Sequence, residues 1–204
     1  MQAFLRVMAL VLVYGGVHSL LAASSTKRLV LDVVGKRAYL GLYALGFNVL
    51  SVVTLLPVLW GLAVDAGPVI WQVSGVLAGI MMVIQGLGLL GLVIAGLQID
   101  LMRFVGVRQA LAWLNGDPLP LPPEPLQTEG VYAISRHPLY LFSLLLIWPT
   151  PVMLSGWFGF CVAATVYFMV GSRLEERKLR AVFGDAYQRY QQRVPWLVPF
   201  IRWG

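Results

Sequence analysis

Two short runs hold most of the side chains able to do chemistry: Arg136-His137-Pro138-Leu139-Tyr140 and Glu175-Glu176, with Tyr132 just ahead of the first. An imidazole moves protons near neutral pH, a guanidinium binds carboxylate or thiolate, and a carboxylate accepts hydrogen bonds from hydroxyl or ammonium groups. Pro138 suits the first position of a helix, where its missing N–H costs nothing. The next backbone N–H groups then stay unpaired and offer a place for an anion. Plainer roles exist too: Arg136 and Tyr140 can anchor at a membrane interface, and Glu175-Glu176 can be an ordinary charged helix end. Two carboxylates at the carboxyl end of a helix oppose its dipole, however, which favours a ligand for at least one of them. His18 and His137 are the only histidines and Cys161 is the only cysteine, so no metal-ligand cluster is expected. His18 reads as a packing or hydrogen-bonding residue and Cys161 as a small apolar one.

Membrane helices must position these residues. The chain of 204 residues is 59% hydrophobic and 12% charged, with a mean hydropathy of +0.79, whereas soluble domains run near about 25% charged. Asp65 is the only charged residue from Ala38 to Ile99, and none lies between His137 and Ser172. Cut at about 20 residues per crossing, the apolar runs give spans near 3–23, 38–62, 69–97, 138–151 and 153–172. The expected fold is all-α: a polytopic membrane protein with about five transmembrane helices, the last two a tight helical hairpin, plus cytoplasmic carboxyl-terminal helices. It forms one domain over 1–204, with its chemistry gathered in about 117–204. Residues 1–23 read as a retained span instead of a cleaved signal, because the run is long and Arg6 alone gives it a positive start.

Charge placement orients these spans. Every Lys and Arg except Arg6 follows the first, third or fifth span: Lys27, Arg28, Lys36 and Arg37, then Arg103, Arg108 and Arg136, then the set from Arg173 to Arg202. The positive-inside rule puts that side in the cytoplasm and the amino terminus outside. The net charge of +6 then needs no nucleic-acid partner.

The last two spans share 35 residues from Pro138 to Ser172, roughly 52 Å of helix, so two crossings and a bend at Pro149 and Pro151 barely fit. Between the third span and this hairpin, Phe104, Val107, Leu111 and Leu114 recur at helical spacing within 100–115, which predicts an amphipathic stretch on the membrane surface. Five prolines from Pro118 to Pro125 then force an extended path. Gly86, Gly88 and Gly91 resemble a phosphate loop only as letters and suit close helix packing. Beyond Glu176 an amphipathic helix runs to Gly184, Asp185 can cap the next, and this tail should fold over the site.

Arg-His-Pro-x-Tyr at 136–140, the Glu pair at 175 and 176, and Phe-Gly-x-x-Tyr-x-x-Tyr with Val-Pro-x-x-x-Pro over 183–199 together resemble the isoprenylcysteine carboxyl methyltransferase superfamily. The ordered set covers about a third of the chain. The resemblance implies an integral membrane methyltransferase that binds S-adenosylmethionine on the cytoplasmic side, between the hairpin and the tail. It implies a cofactor pocket of Tyr132, His137, Pro138, Leu139, Tyr140 and Glu175, with Leu126, Gln127 and Glu176 as further members. One departure stands out. Where prenylcysteine enzymes carry an Arg four residues before the first Glu, assigned to the substrate carboxylate, this chain has Gly171.

His18-Ser19, Gly106-Val107-Arg108-Gln109 and Thr150-Pro151-Val152-Met153 are similar to the bacterial methanethiol S-methyltransferase branch and its NnrU-like neighbours. That similarity implies methyl transfer to a small or apolar thiol, with His137, Arg136 and Arg108 as candidate catalytic groups. The alternatives are carboxyl methylation of an isoprenylcysteine, methylation of a lipid, or a scaffold with a degenerate cofactor site. The expected partners are a small or lipid-soluble acceptor and membrane lipids, with no obligate protein partner, and the expected location is a bacterial inner membrane.

Overall fold

Long apolar runs interrupted mainly by glycine give, among the described residues, four helices long enough to cross a membrane: α1 (Gln2–Ala22), α3 (Lys36–Val64), α4 (Gly75–Leu97) and α8 (Ser155–Phe183). They make this an integral membrane protein. The computed structural model describes residues 1–200, so Arg202, counted above with the cytoplasmic cations, lies outside the described residues. Shorter elements join the four: α2 (Ser24–Val34), strand β1 (Val69–Gln72), α5 (Leu101–Phe104), α6 (Val107–Asn115), a 3-10 turn at Gly130–Ala133, α7 (Pro138–Ile147), strand β2 (Val152–Leu154) and α9 (Asp185–Arg193). Helix α1 packs between α3 and α8, α4 packs on α7, and α6 lies against α3.

The fifth expected span differs from expectation. Its helix, α7, has 10 residues, about 15 Å against a hydrocarbon core of about 30 Å. Pro149 and Pro151 forbid further helix, and the chain continues in extended form into β2. Backbone groups left outside a helix at membrane depth need partners. Side chains supply them: Gln85 Nε2 donates to Leu146 O at 2.9 Å, Trp157 Nε1 to Ile147 O at 2.9 Å, Cys161 Sγ to Ile147 O at 3.4 Å, and Trp71 Nε1 to Thr150 O at 3.2 Å. β1 and β2 pair antiparallel, with Trp71 opposite Met153, a small sheet that the apolar runs did not announce.

Glycines set the closest helix contact. Gly88 lies on the α7 backbone, where an added Cβ would sit 2.7 Å from Leu146 N, and Gly91 lies under the Phe142 ring. Gly86 faces open space. The expected packing role therefore holds for two of the three glycines.

The two ends of the bundle are chemically distinct. At one end Arg6 pairs with Asp65 at 3.0 Å, and Gly156 N donates to Ala66 O at 2.8 Å beside the sheet. The Arg6 left over from the count of cations thus meets the single acid of the opposite connections. The other end gathers α2, the α5–α6 pair, the proline-rich loop and the carboxyl-terminal tail. There Asp100 starts α5, accepting from Arg103 N at 3.0 Å, and Gly106, at φ +92°, lies against the backbone of Ala44 and Leu45 on α3. The amphipathic stretch is therefore two short helices broken at Gly106. Asp185 opens α9 as its first residue and makes no side-chain cap; Gly184 holds the cap position.

Candidate active site

The turn before α7, the carboxyl-terminal half of α8 and the tail meet at one place. Pro138 takes the first position of α7, and the helix's first backbone bond runs from Leu141 N to His137 O at 3.0 Å. The Leu139 and Tyr140 N–H groups precede that ladder, as a helix start requires. Ser135 Oγ accepts from His137 N at 3.2 Å and fixes the entry to the helix. His137 is 4% exposed. Its ring stacks on Tyr140 with centroids 5.5 Å apart, and Tyr140 stacks on Phe168 of α8 at 5.0 Å.

Two carboxylates face this imidazole. Glu175 Oε2 lies 3.4 Å from His137 Nδ1 and accepts from the Tyr140 hydroxyl at 3.2 Å. Glu176 Oε1 lies 3.5 Å from His137 Nε2, without hydrogen-bond alignment, so that buried nitrogen has no hydrogen-bond partner among the described residues. Burial works against a charge on His137, but the two carboxylates outweigh it and hold the imidazole pKa above its ordinary 6.5. Burial first, and the Glu175 charge second, push the Tyr132 hydroxyl up to about 12.

The neighbouring glutamates have different jobs. Glu176 is 4% exposed and accepts from Arg136 Nε at 2.7 Å and from the Tyr187 hydroxyl at 3.5 Å. Arg136 Nη1 also donates to Gln191 O and Val194 O, both at 2.9 Å, and Arg136 N donates to Pro195 O at 3.0 Å. Arg136 and Glu176 therefore clamp the tail over the site. The Glu175 side chain is 47% exposed and remains open to a ligand.

Sequence reasoning placed Arg136, His137, Pro138, Leu139, Tyr140, Glu175 and Glu176 together, and they meet. Tyr132 joins through its carbonyl, which accepts the Tyr190 hydroxyl at 2.6 Å, and Leu126 packs against Tyr187, Tyr190 and Val194. Gln127 is half-buried beside Leu126. Arg108 is not brought to this cluster. It pairs with Asp100 at 2.5 Å and lines a separate cavity of about 360 Å³ with Arg103 and Asp117.

Three contributors went unseen in the sequence. Gln98, at the end of α4, accepts from Val131 N at 3.1 Å and occupies the space a side chain at Gly130 would need, which pins the turn carrying Tyr132. A polar residue ending a long uncharged run was the available signal. Ser135 adjoins the Arg-His-Pro run, and Trp196 lies inside the Val-Pro-x-x-x-Pro motif as one of its variable letters. Neither motif marks them.

The family model for NnrU protein matches residues 6–151. The chain belongs to the NnrU family. Among relatives of this NnrU chain, methanethiol S-methyltransferase 2 of Bradyrhizobium diazoefficiens is 38% identical over 153 residues, covering 75% of this chain and 58% of that protein. Methanethiol S-methyltransferase of Pseudomonas deceptionensis is 32% identical over 190 residues, covering 91% and 68%. Protein-S-isoprenylcysteine O-methyltransferase B of Arabidopsis thaliana is 44% identical over 81 residues, covering 37% and 40%. The NnrU chain thus spans a little over half the length of the first of these relatives. No solved structure matches it. The family model stops at the hairpin bend, before Glu175, Glu176 and the tail.

Proposed function

We propose that this chain is an S-adenosylmethionine-dependent integral membrane methyltransferase that acts on a small or apolar thiol, with its site on the cytoplasmic face of a bacterial inner membrane and its amino terminus outside. The observation that carries the reading is His137, a buried imidazole with an unpartnered Nε2, set between two carboxylates at the end of the bundle where the cations gather. The identity of 38% and 32% to proteins named methanethiol S-methyltransferase supports it.

The residues present fit the cofactor. A half-exposed carboxylate suits its ammonium group and ribose hydroxyls, while an unpartnered imidazole nitrogen and the first N–H groups of α7 suit its carboxylate. When bound, the cofactor supplies a methyl group on a sulfonium already activated for direct transfer. Glu175 would hold its polar part, Leu139, Tyr140 and His137 its anionic end, and Tyr132, Pro138, Leu126 and Gln127 the remaining wall. The raised pKa of His137 makes it a better donor to an anion than a base. Arg136 and Glu176 keep the tail closed and water out. Holding the acceptor about 3 to 3.5 Å from the reacting carbon is then the main catalytic contribution.

Carboxyl methylation is the second reading, favoured by the 44% identity to an isoprenylcysteine enzyme over part of the chain. Gly171 argues against it, because it stands where prenylcysteine enzymes carry the Arg assigned to the substrate carboxylate, and the next cation along α8, Arg173, lies over the Trp196 ring instead. Purified protein given methyl-labelled S-adenosylmethionine with ethanethiol and farnesylcysteine at equal concentration distinguishes them. The thioether is the expected product. A methyl ester as the main product would replace this reading with the second, and neither product together with no binding of S-adenosylhomocysteine would leave a scaffold.

A further inference from the structure

One turn along α7 from His137 lies a second layer that no step above uses. The tail is strapped to the turn before α7 by Arg136 and by Ser135 Oγ, which donates to Trp196 O at 3.4 Å. The strap sets Trp196, 6% exposed, into a cluster with Leu141 and Leu197, flanked by Tyr140, Leu144 and Leu145. From α8 the guanidinium of Arg173 lies 4.0 Å over the centre of the Trp196 ring. The indole Nε1 is buried and has no acceptor among the described residues. Close by, Gly171 leaves space before the Tyr140 hydroxyl, which an added Cβ would face at 3.9 Å.

A buried indole N–H without an acceptor is a costly feature unless something accepts from it. The cation over the same ring fixes the sign of what suits this layer: an anion, small enough for an apolar surround. Because α7 enters the membrane from His137 and α8 leaves it toward Glu175, a solute from the bilayer meets Trp196 and Arg173 before it meets His137. A polar cofactor from the cytoplasm meets the other layer first.

We propose that Trp196 and Arg173 form the acceptor subsite, binding a small thiol from the bilayer as its thiolate, with the indole N–H and the guanidinium directed at the sulfur. This rests on the methyltransferase reading above. The thiol's proton leaves to the buffer on binding, and no bond to carbon forms in this step. The other ionisable groups beside the layer are Tyr140, His137 and Arg136 at the start of α7 and Glu175 and Glu176 on α8.

The test is calorimetry of ethanethiol binding to the full chain loaded with S-adenosylhomocysteine, at a pH where free thiol is neutral, in buffers of different ionisation enthalpy. Wild type should release close to one proton per thiol bound. Trp196→Phe keeps the ring under Arg173 and removes the N–H, and Arg173→Gln removes the charge. Each should weaken ethanethiol at least tenfold and reduce the proton release, with affinity for S-adenosylhomocysteine within twofold of wild type. Arg173→Lys should recover much of the release. Wild-type proton release in both variants overturns the subsite, as does an equal loss of S-adenosylhomocysteine affinity, which would assign Trp196 to the cofactor wall. Wild type that binds S-adenosylhomocysteine but releases no proton refutes this proposal alone. Wild type that binds none refutes the reading beneath it.

Discussion

Arg136 Nε stands 2.7 Å from Glu176 Oε1, and their side chains are 8% and 5% exposed. Removing one partner of a buried ion pair leaves an uncompensated charge, which costs about 3–5 kcal/mol. Glu176→Ala should therefore lower stability by about that amount and loosen the tail that Arg136 holds. Glu176→Gln keeps an acceptor for the guanidinium and should lose less. Thermal unfolding in detergent measures both, and a loss below about 1 kcal/mol for the alanine variant would mean the pair is solvated.

Glu175 follows a different course although it adjoins Glu176. Its side chain is half exposed and its contacts are the Tyr140 hydroxyl and the His137 ring. Glu175→Gln and Tyr140→Phe should weaken S-adenosylhomocysteine binding by about 1.5–3 kcal/mol, roughly ten- to hundredfold, with unfolding close to wild type. His137→Ala should do both kinds of harm, because the ring is buried and stacked on Tyr140. Unchanged affinity in all three variants removes the cofactor assignment.

Much of this site was legible because its residues sit in short local patterns. A proline at a helix start, a histidine just before it and a glutamate pair ending a span each keep their meaning whatever the tertiary arrangement. Membrane helices and the cation-rich end were legible for the same reason, since hydropathy and charge count act residue by residue. What stayed hidden depends on contacts distant in sequence. Nothing near Glu176 distinguishes it from Glu175; only the tail's return, with Arg136 gripping the carbonyls of Gln191 and Val194, buries one and leaves the other open. The shortness of α7 was half visible in Pro149 and Pro151. Its partners, Gln85, Trp157 and Cys161, were not, because each reads as an ordinary residue of an apolar helix. Arg108 was tied to the site only through the resemblance carried by Gly106-Val107-Arg108-Gln109, and it is held by Asp100 on a separate cavity.

The raised pKa of His137 makes stability depend on pH. The folded protein holds a proton that the unfolded chain, with its ordinary value of 6.5, gives up more easily. The stabilising contribution is fully present below about pH 6.5 and is lost as pH rises through the higher folded-state value. Denaturation of wild type should therefore become easier from near neutral pH upward, relative to His137→Asn, whose curve should be flatter over the same range. Parallel curves would mean that the carboxylates do not hold the proton.

Helix α4 meets α7 through Gly88 and Gly91, so side chains there should separate the pair. Gly91→Leu must displace the Phe142 ring, and Gly88→Val collides with the backbone at Leu145 and Leu146. Overpacking of this kind costs about 1–3 kcal/mol. Gly86→Ala has open space and should be neutral or slightly stabilising, as alanine favours helix. Unfolding temperatures of the three variants provide the check, and equal behaviour of Gly86→Ala and Gly91→Leu would contradict the packing described.

The orientation of the bundle can be tested at its two ends. Gln192 is exposed on α9, beside the site, and Val64 is exposed at the opposite end, next to the Asp65 that pairs with Arg6. The single native cysteine, Cys161, is buried, so an introduced cysteine dominates labelling. The concentration of Lys and Arg at the Gln192 end should hold that end in the cytoplasm, because translocating many cations is strongly disfavoured while the Arg6–Asp65 end carries little net charge. In intact cells an impermeant thiol reagent should modify Val64→Cys and leave Gln192→Cys untouched until the membrane is opened. Labelling of Gln192→Cys from outside would invert the arrangement, and with it the side from which a polar cofactor reaches His137.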